Sequence, residues 1–196
     1  GVADLQQSFF RQAEGFCTGY SSNLVKTIDI ESGPIYNSGP PASMTVKFAC
    51  RVGPHHQFVS INGQTYVEDV FNGYFARQHT FDVPLSELDP TTAVVFEGTA
   101  NNGDKQAVSY ISLTAPRLFD FENSTQFFFE MPASTELQYL EISNFNAGGN
   151  DPILYDLSNG TRMQNTLENG IIRIALPPSS SARKLALFSA SSSHTI

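Results

Sequence analysis

Five residues in the first half of the chain are of types that do chemistry: Cys17, Cys50, His55, His56 and His79. A cysteine peptidase needs a thiol with a histidine beside it to make and hold the thiolate, and it needs a scaffold that fixes both. No strand-turn-helix context or peptidase motif surrounds either cysteine, so a catalytic pair is not expected. His55-His56 is a candidate metal site because imidazole suits Zn or Ni. Adjacent residues on a strand, however, point to opposite faces and cannot easily share one ion. Pro54 ahead of them favours a loop, and a solvated polar turn is expected there. Cys17 and Cys50 could close a disulfide loop of 33 residues, worth about 3–4 kcal/mol in the chain-entropy view. The alternating apolar setting of Cys50 reads instead as a buried free thiol.

Carboxylates at Glu97, Asp104, Asp120, Glu122 and Asp156 could supply oxygen ligands to Ca²⁺. Their spacing matches no calcium loop, and solvated surface charge is the expected role. Tyr20, Tyr36, Tyr66 and Tyr74 could stack on sugars in a carbohydrate-binding jelly roll, a reading weakened by the absence of any Trp. Phe127-Phe128-Phe129 is expected to span both faces of a buried strand, with any exposed member forming a sticky patch suited to a partner domain. No catalytic, cofactor-binding or metal-ligating residue is assigned.

The elements that would position these groups are strands. Met44, Val46, Phe48 and Cys50 alternate with Thr45, Lys47 and Ala49, and Phe75, Arg77, His79, Phe81 and Val83 alternate in the same way. Asn62-Gly63 between apolar runs predicts a two-residue hairpin, and Asn72-Gly73, Asn102-Gly103, Asn159-Gly160 and Asn169-Gly170 are further turn candidates. Further strands are predicted at 93–97, 107–113, 125–130, 137–143, 153–157, 170–176 and 184–189. A short helix fits residues 3–12. The order holds no alternation of strands with long helices, so the predicted fold is all-β: a β-sandwich or jelly roll followed by a second, smaller β-sandwich unit.

Composition agrees. The chain has 196 residues, 16 Phe and 7 Tyr, with 15% charged residues and a formal net charge of −8. That balance argues against nucleic acid as a partner, since neutralising phosphates takes clustered Lys and Arg. No apolar run approaches a membrane span, and no basic, apolar signal core opens the chain. Gly1 in place of a start residue reads as the product of a cut from something longer.

Two stretches carry a family resemblance. The run Ser109-Tyr-Ile-Ser-Leu-Thr-Ala-Pro-Arg117-Leu resembles a strand that closes on Pro-Arg. The run Asn144 to Met163 resembles a strand, loop and strand whose core is an aromatic-Asp-Leu triplet, here Tyr155-Asp156-Leu157. Both resemble the β-rich region just upstream of the peptidase domain in gingipain-like cysteine peptidases, most of all the type IX secretion system sortase of Bacteroidetes. The likeness covers roughly residues 58–190 and carries scaffold residues only. In this setting Leu154 and Tyr155 point to opposite faces, and Asp156 caps the following turn.

The resemblance implies an extracytoplasmic, non-catalytic accessory region at the cell surface or outer membrane. Its partners would be its own downstream peptidase domain and secreted client proteins. The alternative is a cell-surface carbohydrate-binding or adhesion module of jelly-roll type. The expected organisation is an N-terminal segment at 1–22, a β-sandwich or jelly-roll domain at 23–116, a smaller β domain at 117–190 and a Ser-rich tail at 191–196.

Overall fold

The period-two run from Met44 to Cys50 lies in a strand in which every second side chain is buried from Ala42 to Cys50. The computed structural model describes residues 17–51, 53–99 and 104–190; the helix expected at 3–12 and the turn at Asn102-Gly103 lie outside them. Among the described residues, apart from one 3₁₀ turn at Leu85–Glu87, the regular elements are all strands, and the chain divides into two compact units, Gly1–Arg117 and Leu118–Ile196.

The first unit contains β1 Ser21–Ser22, β2 Val25–Glu31, β3 Ala42–Cys50, β4 Pro54–Ile61, β5 Gln64–Asn72, β6 Ala76–Val83, β7 Thr91–Gly98 and β8 Lys105–Thr114. Pairing is antiparallel and nested: β1 with β8, β2 with β7, β3 with β6 and β4 with β5. Contacts of β3 with β8 and β4 with β7 join these pairs into two four-stranded sheets, β1-β8-β3-β6 and β2-β7-β4-β5. That order is a jelly roll. Its core is the inward set of both sheets, with Phe48 meeting Phe96 edge-on at 5.6 Å. Asn62 and Gly63 take φ of 50° and 79°, the left-handed pair that a two-residue hairpin between right-twisted strands requires.

Edge strands β5 and β6 belong to different sheets, and side chains close the gap between them. Tyr66 stacks on Phe81 at 5.3 Å, Asp69 approaches His79 at 3.7 Å, and the Arg77 guanidinium lies 4.5 Å from the Phe71 ring centroid. Arg77 Nε also sits 3.1 Å from Asp69 Oδ2.

The second unit contains β9 Asp120–Ser124, β10 Gln126–Met131, β11 Gln138–Phe145, β12 Ile153–Asp156, β13 Thr161–Met163, β14 Asn165–Glu168, β15 Ile171–Leu176 and β16 Arg183–Phe188. They form the sheets β10-β16-β12-β13 and β14-β15-β11-β9, antiparallel except for β9 with β11. Between the sheets, Phe121 stacks on Phe127 at 4.0 Å within a core that includes Ile142, Leu154, Ile172 and Leu187. Leu154 is fully buried while Tyr155 is 39% exposed. Asp156 Oδ1 accepts the Ser158 and Asn159 backbone N–H groups at 3.0 and 3.1 Å, the predicted turn cap.

Phe127-Phe128-Phe129 does not lie in a strand covered on both sides. It forms edge strand β10, with Phe128 60% exposed and its two neighbours half-buried.

Candidate functional site

Antiparallel wrapping of the first unit brings the β3–β4 and β5–β6 connections and the start of β8 to one end of the sandwich. A buried polar network sits beneath them. His55, Gln57, Asp104 and Gln106 are all fully buried. His55 and Gln57 point inward from β4 because β4 alternates with a two-residue period from His55 to Ile61.

His55 Nδ1 lies 2.6 Å from Asp104 Oδ1, and His55 Nε2 lies 2.6 Å from the Arg51 carbonyl and 3.0 Å from the Gly73 carbonyl. Carbonyl oxygens only accept, so Nε2 carries a proton and donates. His55 thereby ties two connections to the carboxylate. Asp104 Oδ2 accepts from Gln106 Nε2 at 2.7 Å and from the His56 backbone N–H at 3.3 Å. Gln57 Nε2 donates to Gln106 Oε1 at 2.6 Å and to Cys50 Sγ at 3.1 Å. His79 Nε2 donates to Gln57 Oε1 at 3.3 Å. The result is a directional chain of hydrogen bonds running from β6 across the interior to the loop end.

This geometry corrects three expectations. His55 and His56 are not a solvated turn: Pro54 opens β4, an allowed strand position for a residue without an N–H, and places His55 inward. His56 faces outward, 3.0 Å from Glu68, so the two rings do fall on opposite faces. Asp104 and Asp156 are not solvated surface charges; they are 0% and 2% exposed, each satisfied by several donors. The local sign of the buried network in the sequence is the period-two placement of His55 and Gln57 with Val59 and Ile61.

Cys50 is a buried free thiol and Cys17 an exposed one. Burial, helped by the Asp104 carboxylate and opposed by the Gln57 hydrogen bond, pushes the Cys50 thiol up to about 12. Both nitrogens of His55 are engaged elsewhere, and the hydrogen bond at that sulfur comes from the Gln57 amide. In native protein at mild alkaline pH, iodoacetamide is expected to label Cys17 and leave Cys50 unmodified; peptide mass spectrometry showing rapid labelling of Cys50 would contradict this.

Burial pushes the His79 imidazole below its ordinary value of 6.5, the Asp69 carboxylate opposes this and the Arg77 guanidinium adds to it. A lowered folded value means that unfolding takes up a proton. Stability from this ring is therefore complete above pH 6.5 and is lost as pH falls toward the folded value. In urea titrations from pH 7.5 down to about 5, His79→Gln should remove part of the acid-side decline. An identical pH profile in both proteins would exclude His79 as its source.

The four tyrosines do not form one platform. Tyr20 and Tyr74, 43% and 44% exposed, belong to the loop end, where the Arg51 guanidinium lies 5.2 Å from the Tyr20 ring centroid. Tyr36 is bonded through its backbone to Pro116 near the opposite strand ends, and Tyr66 is half-buried on Phe81. Glu97 is half-exposed on β7. Asp120 accepts the Glu122 backbone N–H at 3.0 Å and the Asn144 side-chain amide at 2.7 Å. Among the described residues no group of three or more His, Cys, Asp or Glu side chains could hold a metal ion. The second unit carries an open groove of about 1240 Å³ lined by Tyr139, Glu141, Arg162, Asn165 and Arg173. Arg173 there is held by Glu141 and Glu168, each at 2.9 Å.

Fold and site together define an all-β protein in which a jelly roll precedes a second β-sandwich unit and the buried polar groups are engaged in bracing loops. No protein-family description matches the chain, and no curated protein matches it. Among solved structures, its fold is similar to that of dimeric latent PorU, a type IX sortase, from Porphyromonas gingivalis, with a TM-score of 0.65 at 11% sequence identity over 91% of this chain. The match corresponds to 19% of the PorU chain. At this identity the likeness is one of fold. No helix among the described residues is long and apolar enough to cross a membrane.

Proposed function

We propose that this chain is a non-catalytic accessory β region of an exported, gingipain-like cysteine peptidase of the type IX sortase kind, placed outside the cytoplasm, where it braces the catalytic domain or contacts client proteins. The observation that carries the reading is the extent of the fold match. At 91% of the chain it is longer than either unit alone, so it takes in residues of both. The chemistry of the first unit supports it: the buried Cys50 sulfur accepts from Gln57, and His55 is occupied in bracing connections.

The test is to sequence the natural reading frame on both sides. A signal sequence upstream with a Cys–His α/β domain downstream supports the proposal, and a frame that closes without a peptidase domain overturns it. If the peptidase domain is present, deleting the region from the complete protein should lower its stability or its processing of exported clients.

A second reading, a carbohydrate-binding module, is favoured by one observation: the jelly-roll unit exposes Tyr20, Tyr74 and Phe75. Binding to a glycan array that disappears in Tyr20→Ala and Tyr74→Ala would favour it over the accessory role, and an array without binders would remove it.

A further inference from the structure

Strand β10 has β16 on one side and no described strand on the other. The Ser189 N–H donates to the Thr125 carbonyl at 2.8 Å, and Phe127, Phe129 and Met131 follow at period two opposite Leu187, Leu185 and Arg183. The backbone N–H and C=O groups of Gln126, Phe128 and Glu130 therefore point away from β16, toward the open edge. Of the common guards of an edge strand, one charged side chain, Glu130, is present. Within Gln126–Met131 there is no Pro and no Lys, and pairing with β16 is free of bulges.

The strand also reads almost identically in both directions. Gln126-Phe127-Phe128-Phe129-Glu130 is symmetric in shape about Phe128. We propose that β10 is a homodimerisation edge: two copies of this chain pair their β10 strands antiparallel about a two-fold axis at Phe128, joining two four-stranded sheets into one. A two-fold interface needs a self-complementary patch, and this strand supplies it.

In that register Phe128 faces Phe128 of the second copy in a hydrogen-bonded pair, Gln126 faces Glu130, and Phe127 faces Phe129. Phe128, 60% exposed, already meets Phe188 edge-on at 5.7 Å, and Phe188 meets Tyr155 at 6.2 Å, so the new rings extend an existing aromatic row. Phe127 and Phe129, half-buried at the lip of the core, gain cover from each other. No like charges oppose one another: each Glu130 meets a neutral amide and keeps Lys184 of its own chain 3.7 Å away. Moving the axis by one residue would set Phe128 against Gln126 or Glu130 and lose this match.

Pairing through one short strand places the interface below about 1,200 Å², in the range of weak complexes. The charge of −8 on each copy opposes association, so added salt strengthens it. The proposal rests on β10 alone and stands or falls apart from the accessory-region reading.

Sedimentation equilibrium of the full chain, from micromolar concentrations to about 1 mM, tests it. The average mass should rise from one chain toward two, more steeply in higher salt. Phe128→Lys, which sets two ammonium groups at the axis, should hold the protein at one chain throughout. The register makes a signed prediction for an exposed position: Gln126→Lys, opposite Glu130, should tighten association about tenfold and Gln126→Glu should loosen it comparably. Circular dichroism confirms that each variant is folded. A mass that stays at one chain over the whole range overturns the proposal, as does association indifferent to Phe128→Lys or moved in one direction by both Gln126 variants.

Discussion

Replacing Asp104 with alanine should lower the stability of the jelly-roll unit by about 3–5 kcal/mol, because several buried groups lose one shared partner and each unsatisfied group costs about 1–3 kcal/mol. Both side chains of the His55–Asp104 pair are completely buried at 2.6 Å separation. Without the carboxylate, His55 Nδ1 loses its partner, and Gln106 Nε2 and the His56 backbone N–H lose their acceptor. Against a typical domain stability of about 5–15 kcal/mol, that loss is large. Urea unfolding should show a lower midpoint with an unchanged slope.

The double variant His55→Leu/Asp104→Leu should recover part of the loss, because it removes both buried polar partners together, although the Arg51 and Gly73 carbonyls still lose their donor. A cycle built from the two single variants and the double one isolates the coupling. If Asp104→Ala costs less than about 1 kcal/mol, the network contributes little and the bracing role assigned to His55 is wrong.

Phe121→Ala is expected to cost the second unit about 3–5 kcal/mol. Its ring is 1% exposed and lies 4.0 Å from Phe127, 5.4 Å from Phe129 and 6.4 Å from Phe145. Truncation therefore opens a void at the centre of an aromatic cluster that rigid sheets on either side cannot fill. For a unit of this size the transition should fall by on the order of 15–30 °C or vanish. The two cores share no residue, so calorimetry should show the pH-sensitive transition that contains His79 in its original place. A common shift of both transitions would mean that the units unfold as one.

The local elements of the fold are legible in the sequence. Strands at 93–97, 107–113, 125–130, 137–143, 153–157, 170–176 and 184–189 all appear, with ends displaced by no more than two residues. Hairpins at Asn62-Gly63 and Asn169-Gly170 appear with both residues at positive φ. The Asp156 turn cap is equally local, since donor and acceptor are two or three residues apart. The short strands β1, β13 and β14, of two to four residues, have too few side chains to show a period.

The polar groups divide the other way. His55 looks like half of a hydrophilic dipeptide after a proline, and Asp104 like one more turn carboxylate; they are 49 residues apart and meet only because β4 and β8 are brought to one end of the sandwich. Phe127-Phe128-Phe129 has the composition of a buried strand, yet sheet order places it at an edge.

Alternation and turn residues depend on backbone geometry within a few positions, so the chain carries them at every point along its length. Which polar group is dry, which carboxylate has a partner and which strand ends with an open row of N–H and C=O groups depend on pairings across tens of residues. Those pairings are settled by the nested wrapping of β1–β8 and the two-sheet packing of β9–β16, where burial of the common core outweighs the preference of any single side chain for water.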